Sequence, residues 1–294
     1  MAEPRAALRF ENLEQYLLLK NGNYLYKVPY KGGFAVLKVY YGSLPMWRYR
    51  WKSAGNLLVA NQTAVMPWSR RATELDCIRL WSEAGFRVFN VFDEQVEGLP
   101  PEGYALYEYV DAPRFVNYFA DRSHPIATRL ETWRRFLPVW HRRHQLAVER
   151  REPRFVHENG DLKHVMILGD DFLFFDFETC FRSRERIKEI VAREILCYLK
   201  SMAGTVGDEF EVFLAETVAH YPGRDLLAYT HEFAFADPNR LVRFGRTLDL
   251  MFRKRARKPS SKYRIAARLD EILGRDEILG RDEIPGRDRM LPRG

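Results

Sequence analysis

Long apolar runs are missing from this chain: none reaches the roughly 18 residues that a membrane-crossing helix needs. The opening stretch MAEPRAALRFENLEQ also lacks the basic start and apolar centre of a secretory signal, so the expected location is cytoplasmic. Cysteine is scarce. Cys77, Cys180 and Cys197 stand far apart, with no CxxC pair and no metal-type spacing. That distribution argues against a disulfide framework and a zinc site, and leaves the three as small buried residues in a reducing compartment. Acidic residues are absent from one segment, Met251 to Arg264, which is dense in Lys and Arg. Such a run suits anionic lipid, nucleic acid or a phosphorylated substrate. Each Lys or Arg beside an anionic membrane contributes about 1 kcal/mol, enough together to hold a protein at an inner-membrane surface without an anchor.

What the chain does hold is core-forming material. Its 294 residues are 46% hydrophobic and 14% aromatic, sufficient for one large core or two smaller ones sharing an interface. The formal charge is +7, from 47 Lys and Arg against 40 Asp and Glu.

From Leu13 onward, three short strands are expected, parted by turns at Asn21-Gly22-Asn23 and Lys31-Gly32-Gly33, where the residues tolerate positive φ. The third strand, FAVLKVYY, is apolar and β-branched except for Lys38. A lysine there is at an edge, snorkelling to water, or paired for a task. Helical spacing of Ala72, Leu75 and Ile78 predicts a helix over Ser69–Ala84, closed by Gly85 and carrying Glu74 near its first turns. GFRVFNVFDEQ and YALYEYVDA read as two further strands. Leu130, Trp133, Leu137 and Trp140 then mark a long helix that Pro138 should kink. Short apolar runs, VMIL and FLFFDF, surround two turns. Helices resume over Arg184–Met202 and continue towards Phe252. The tail carries the hexapeptides DEILGR, DEILGR and DEIPGR from Asp270 to Arg287. A glycine every six residues and a proline in the third copy predict a flexible or partly helical extension rather than a solenoid.

Transfer of a phosphoryl group from ATP asks for cations around the phosphates, a carboxylate for the metal, and a group that positions the attacking hydroxyl. Candidates follow one another in that order. Lys38 supplies the cation. Gly160-Asp161-Leu162-Lys163 precedes VMIL, and Asp176 follows fifteen residues after Asp161 within Phe175-Asp176-Phe177-Glu178. The two aspartates thus flank a short hairpin, one able to orient an acceptor and the other able to chelate metal. A carboxylate between Phe175 and Phe177 is costly to bury unless metal or hydrogen bonds compensate.

These residues resemble the kinase-like superfamily, and HENGDLKHVMILGDDFLFFDFE looks most like the bacterial lipopolysaccharide kinases that phosphorylate Kdo or heptose sugars. VLKVY is similar to the strand-three lysine segment, RRATELDCIRLWSEAGFRV to the glutamate-bearing helix, and YALYEYVDA to the hinge strand. The resemblance implies an α+β, two-lobed fold, with an antiparallel-sheet lobe over residues 10–110, a mainly helical lobe over 111–258, and a flexible basic and repeat tail over 259–294. It further implies ATP and Mg²⁺ as cofactors and a sugar or lipid-linked sugar as acceptor, at the cytoplasmic face of the inner membrane. By residue, Asp161 and Lys163 would be catalytic; Lys38, Glu74, Gly22 and Glu108 would contact the nucleotide; and Asp176, Glu178 and His164 would be the metal ligands.

The chain departs from the family pattern in three places. Met166 stands where a second metal-binding asparagine is usual, and a thioether is a poor ligand for Mg²⁺. Gly22 is the one glycine of its turn. Asn159 replaces the histidine of the catalytic loop, with His157, a residue suited to structural hydrogen bonding, two positions earlier. These departures keep open a pseudokinase scaffold beside a protein or small-molecule kinase. The basic aromatic segments WRYRWK and MFRKRARK raise RNA binding as a further alternative, with no nucleic-acid motif beside them.

Overall fold

The computed structural model describes residues 7–20, 22–41, 45–235 and 260–282. Alternating side chains build the first half around a five-stranded antiparallel sheet, β1 (Leu17–Lys20), β2 (Tyr24–Tyr30), β3 (Gly33–Val39), β5 (Val91–Phe92) and β6 (Tyr104–Glu108), in the order β1-β2-β3-β6-β5. On one face Tyr26, Val28, Ala35, Leu37, Tyr104 and Leu106 close a small core. The intervening residues Tyr40, Ala105 and Tyr107 belong to the larger core on the other face. Lys38 falls on that second face by the two-residue period of the strand, opposite Ala105 of β6. The β2–β3 turn is made by Lys31 and Gly32, both at positive φ (46° and 79°), as a tight hairpin with right-handed twist requires.

Across this face lies helix α2 (Pro67–Glu83), with Pro67 at its first turn, after α1 (Met46–Gly55). Arg70, Glu74, Cys77, Ile78 and Trp81 are buried at three- and four-residue steps, so one stripe of α2 carries both the apolar packing and two charged groups into the interior. The segment expected as one strand after Gly85 serves two sheets. Its first part, β4 (Arg87–Val88), pairs parallel with β8 (Asp171–Phe174), while β5 pairs with β6. Glu108 holds the crossing point, accepting from the Asn90 backbone and side-chain amides, both at 2.9 Å.

The second half is mainly helical: α3 (Phe115–Ala120), α4 (Ile126–Arg150), α5 (Ile187–Val206), α6 (Phe210–His220), α7 (Arg224–Phe235) and α8 (Lys262–Asp282), with the hairpin of β7 (Val165–Leu168) and β8 at its edge. Trp133, Phe136 and Trp140 of α4 pack on Phe115, Phe172 and Tyr198 and form the aromatic centre of the core. Pro138 sits inside α4 without ending it. The helix α8 runs across Gly274 and Gly280, where the repeat argued for interruption. Burial of Tyr263, Ile265, Ala266, Leu269 and Leu273 supplies the reason, since packing overrides the roughly 1 kcal/mol that a glycine costs a helix. All three cysteines are free, with Cys77 and Cys180 buried. The basic run from Met251 lies outside the described residues as far as Pro259. No described helix is long and apolar enough to cross a membrane.

Candidate active site

Lys38 leaves β3 towards α2 and meets the carboxylate of Glu74 with both oxygens, at 2.7 and 2.9 Å. Glu178 approaches the same ammonium from the second half of the chain, at 2.7 Å. Burial by itself opposes the charge on Lys38, but Glu178, Glu74 and Asp176 outweigh it and push the ammonium's pKa above its ordinary value. Glu74 is desolvated in turn, which raises its pKa despite Lys38. It also accepts from Tyr40 at 2.6 Å, and Tyr40 touches the Tyr107 hydroxyl at 2.8 Å. The buried cation is therefore held between two carboxylates, one of them braced by Tyr40.

Glu178 is engaged throughout. Its other oxygen accepts from the Arg70 guanidinium, at 2.8 Å from Nε, and Asn23 donates to the oxygen nearer Lys38. Burial opposes the charge of this carboxylate too, yet Lys38 and Arg70 hold its pKa down to about 2. Expected as a metal ligand, Glu178 instead aims both oxygens at cations. Arg70 lies four residues before Glu74 on the same face of α2, and also donates to the Gly22 carbonyl at 3.0 Å, tying the β1–β2 turn to the site.

Asp176 lies two residues past the strand β8 with φ at 74°, a left-handed conformation that a non-glycine residue holds only at a cost of about 1–3 kcal/mol. Two histidines fix it. His157, buried, faces the Asp176 carbonyl with Nε2 at 3.2 Å and the Tyr198 hydroxyl with Nδ1 at 3.3 Å. His164 faces the Asp176 carboxylate with Nε2 at 3.0 Å and the Asn159 carbonyl with Nδ1 at 2.9 Å. A carbonyl can only accept, so Nδ1 of His164 donates to Asn159, and Nε2 is turned towards the Asp176 carboxylate, which is an acceptor as well.

Asp161 caps the short turn Leu162–His164, with Oδ1 accepting from the Lys163 amide at 3.0 Å and the Ser201 hydroxyl at 2.8 Å. Its other oxygen lies 3.8 Å from the Lys163 ammonium, and both side chains are partly exposed. The His164 amide donates to the Asp161 carbonyl at 3.0 Å, so one residue links the two aspartates. Met166 pairs with Leu173 across the β7–β8 hairpin and is nearly buried. The Glu108 side chain is committed to Asn90 and to Arg87, 2.6 Å away.

A cleft of about 230 Å³ opens between these elements, lined by Gly22, Lys52, Arg70, Asn159, Asp176 and Glu178 among others. Among the described residues no group of three or more His, Cys, Asp or Glu side chains is arranged to hold a metal ion. Asp176 brings one carboxylate to the cleft lining, an oxygen donor of the kind that hard cations take. Sequence reading missed Arg70, Tyr40, Asn23 and Ser201. Two of them were accessible to it: Tyr40 shares a strand face with Lys38 two residues away, and Arg70 shares a helix face with Glu74.

An antiparallel sheet whose buried lysine pairs with a glutamate on α2, joined to a mainly helical half that carries the β7–β8 hairpin, makes an arrangement of the α+β class. Neither a protein-family model nor a curated protein sequence matches the chain. Among solved structures it is similar to WaaP in complex with acyl carrier protein, with 13% identity and a TM-score of 0.37 over 74% of this chain and 88% of that one. It is also similar to the Rio2 kinase–ADP/Mg²⁺–phosphoaspartate complex from Chaetomium thermophilum, with 13% identity and a TM-score of 0.39 over 90% of this chain and 70% of that one.

Proposed function

We propose that the chain is an ATP-dependent phosphotransferase that delivers the terminal phosphate to a hydroxyl of a sugar of the lipopolysaccharide-core type. The observation that carries this reading is the buried Lys38, held between Glu74 and Glu178, the second of which lines the same cleft as Asp176, an aspartate kept in a strained conformation. In this reading residues 10–110 and 111–258 are the two kinase lobes, and the acceptor is a lipid-linked sugar at the cytoplasmic face of the inner membrane.

Lys38 and Gly22 would position the phosphates, the first by charge and the second by a backbone without Cβ at φ of 76°. Glu108 would mark the hinge side, where its side chain is already engaged by Arg87 and Asn90. Asp161 would orient the acceptor hydroxyl with Oδ2 and take its proton as the new O–P bond forms and the bond to ADP breaks. Lys163, 3.8 Å from that oxygen, would offset charge gathering on the transferred group. Asp176 would hold Mg²⁺, with His164 orienting the carboxylate and Glu178 reaching the metal only after leaving Lys38 and Arg70. When bound, Mg²⁺ supplies charge neutralisation on the phosphates. The test is ADP release with ATP, Mg²⁺ and a panel of core-sugar acceptors. No turnover with any of them, and no difference between wild type and Asp161→Asn, would end the proposal.

One observation favours a second reading, a nucleotide-free scaffold. Glu178 already pairs with both Lys38 and Arg70. A melting experiment with ATP separates the two, because a ligand at 100 times its Kd stabilises by about 2.7 kcal/mol. No shift with or without Mg²⁺ would select the scaffold.

A further inference from the structure

Helix α1 touches the rest of the protein along one narrow line. Tyr49 and Ser53, four residues apart, are its buried residues. On the opposite side Trp47 and Trp51, again four apart, are 65% and 79% exposed, and in the turn that continues the helix Leu58 is 84% exposed. Met46 and Leu57, next to these in sequence, are exposed as well. Large apolar groups gathered on an exposed surface mark a contact with something else. Arg48 and Arg50 flank the tryptophan stripe on either side, and Arg48 lies over the Trp47 ring at 5.2 Å. No Asp or Glu stands anywhere between Glu14 and Glu74.

We propose that α1 and the turn after it form an interfacial anchor that docks on an anionic lipid bilayer. The charge arrangement selects this occupant. A second copy of the chain would set Arg48 and Arg50 against their own equivalents, and a nucleic acid would give Leu57, Leu58 and Met46 no apolar layer to enter. A bilayer surface accepts both parts: tryptophans and aliphatic chains at the headgroup boundary, guanidinium groups among the phosphates. The anchor is braced, since Val65 donates its amide to Ser53 Oγ at 3.0 Å and Asn56 donates to the Thr63 carbonyl at 3.3 Å. Its inner side leads to the candidate site, because Tyr49 and Lys52 line the same cleft as Asp176. Docking would therefore set the mouth of the cleft near the lipid surface, whatever reaction takes place inside.

The full chain should co-sediment with vesicles containing phosphatidylglycerol and far less with pure phosphatidylcholine, and brominated lipid should quench its tryptophan emission. The double change Trp47→Ser and Trp51→Ser should weaken binding at least about tenfold. Arg48→Gln and Arg50→Gln should cost about fivefold each. All these residues are exposed, so melting temperatures should stay at the wild-type value. Failure of the wild type to bind, or undiminished binding by the tryptophan variant, overturns the proposal. A second copy is the occupant instead if the tryptophans control self-association in sedimentation velocity, and RNA is if they control retention of an oligonucleotide; either result rejects the bilayer.

Discussion

The carboxylate of Glu178 lies 2.7 Å from the ammonium of Lys38, on the very group that the proposed reaction needs for phosphate. Anion and phosphate would compete for one cation. Replacing Glu178 with Gln should therefore tighten the binding of metal-free ADP by about fivefold, equivalent to about 1 kcal/mol. Titration calorimetry reads this directly, and weaker or unchanged binding would show that Glu178 is not a competitor.

Removing the cation should be far more disruptive. Lys38→Met leaves Glu74 and Glu178 buried without their shared partner, and loss of one member of such a pair costs about 3–5 kcal/mol. Chemical denaturation should register that loss together with the loss of nucleotide binding. Adding Glu74→Leu should restore part of the stability and none of the binding, since the second change removes one stranded charge.

Asp161 is tested separately from folding. Its change to Asn keeps the cap on the turn, so stability should hold while turnover falls at least about 10²-fold. Ser201→Ala should have a smaller effect, because Ser201 positions Asp161 through one hydrogen bond of 2.8 Å. Nucleotide affinity should stay unchanged in both variants. An Asp161→Asn protein with wild-type turnover would remove the aspartate from the chemistry.

Acid should weaken the fold in two stages. Burial, His164 and Arg143 lower the pKa of His157 from 6.5 to about 4. The unfolded chain thus binds the extra proton first, and the stability present above pH 6.5 is lost as pH falls towards 4. Glu178, held down to about 2 by Lys38 and Arg70, and Glu194, a buried residue of α5 held down to about 2 by Arg143 and His144, both against the opposing effect of burial, add a further loss between about pH 4.5 and 2. Melting temperatures taken across this range should fall in the first stage for wild type and less steeply for His157→Asn, in which His144, its pKa also lowered by burial, still contributes. Identical slopes for the two proteins would contradict the assignment to His157.

Much of this site was legible in the sequence because each key residue breaks a pattern. Lys38 interrupts an apolar strand and Asp176 stands between two phenylalanines, and burial makes both exceptions expensive without a partner. The Lys38–Glu74 pair, 36 residues apart, breaks no local pattern at Glu74 and was legible only through the family resemblance. Glu178 was legible as a carboxylate but not as an occupant of the lysine and arginine, since its partners come from distant strands and helices. Helix α1 escaped sequence reading because two buried residues in ten give almost no apolar periodicity. The division of residues 87–92 between two sheets was hidden because two-residue strands carry no alternation of their own. In α8 the helical part of the expected extension was not separable in sequence from the rest, since the burial that favours it, at Leu269 and Leu273, belongs to the tertiary structure.

The alternating faces of β3 make the candidate site sensitive to a change of a single residue in length. Inserting or deleting one position between Gly33 and Lys38 would exchange the strand's two surfaces, carrying the lysine into the small core beside Tyr26 and presenting an aliphatic chain to Glu74. Neither surface could absorb the exchange. The strand is thus a ruler whose unit is one residue, and its length tolerates substitution far better than it tolerates counting errors.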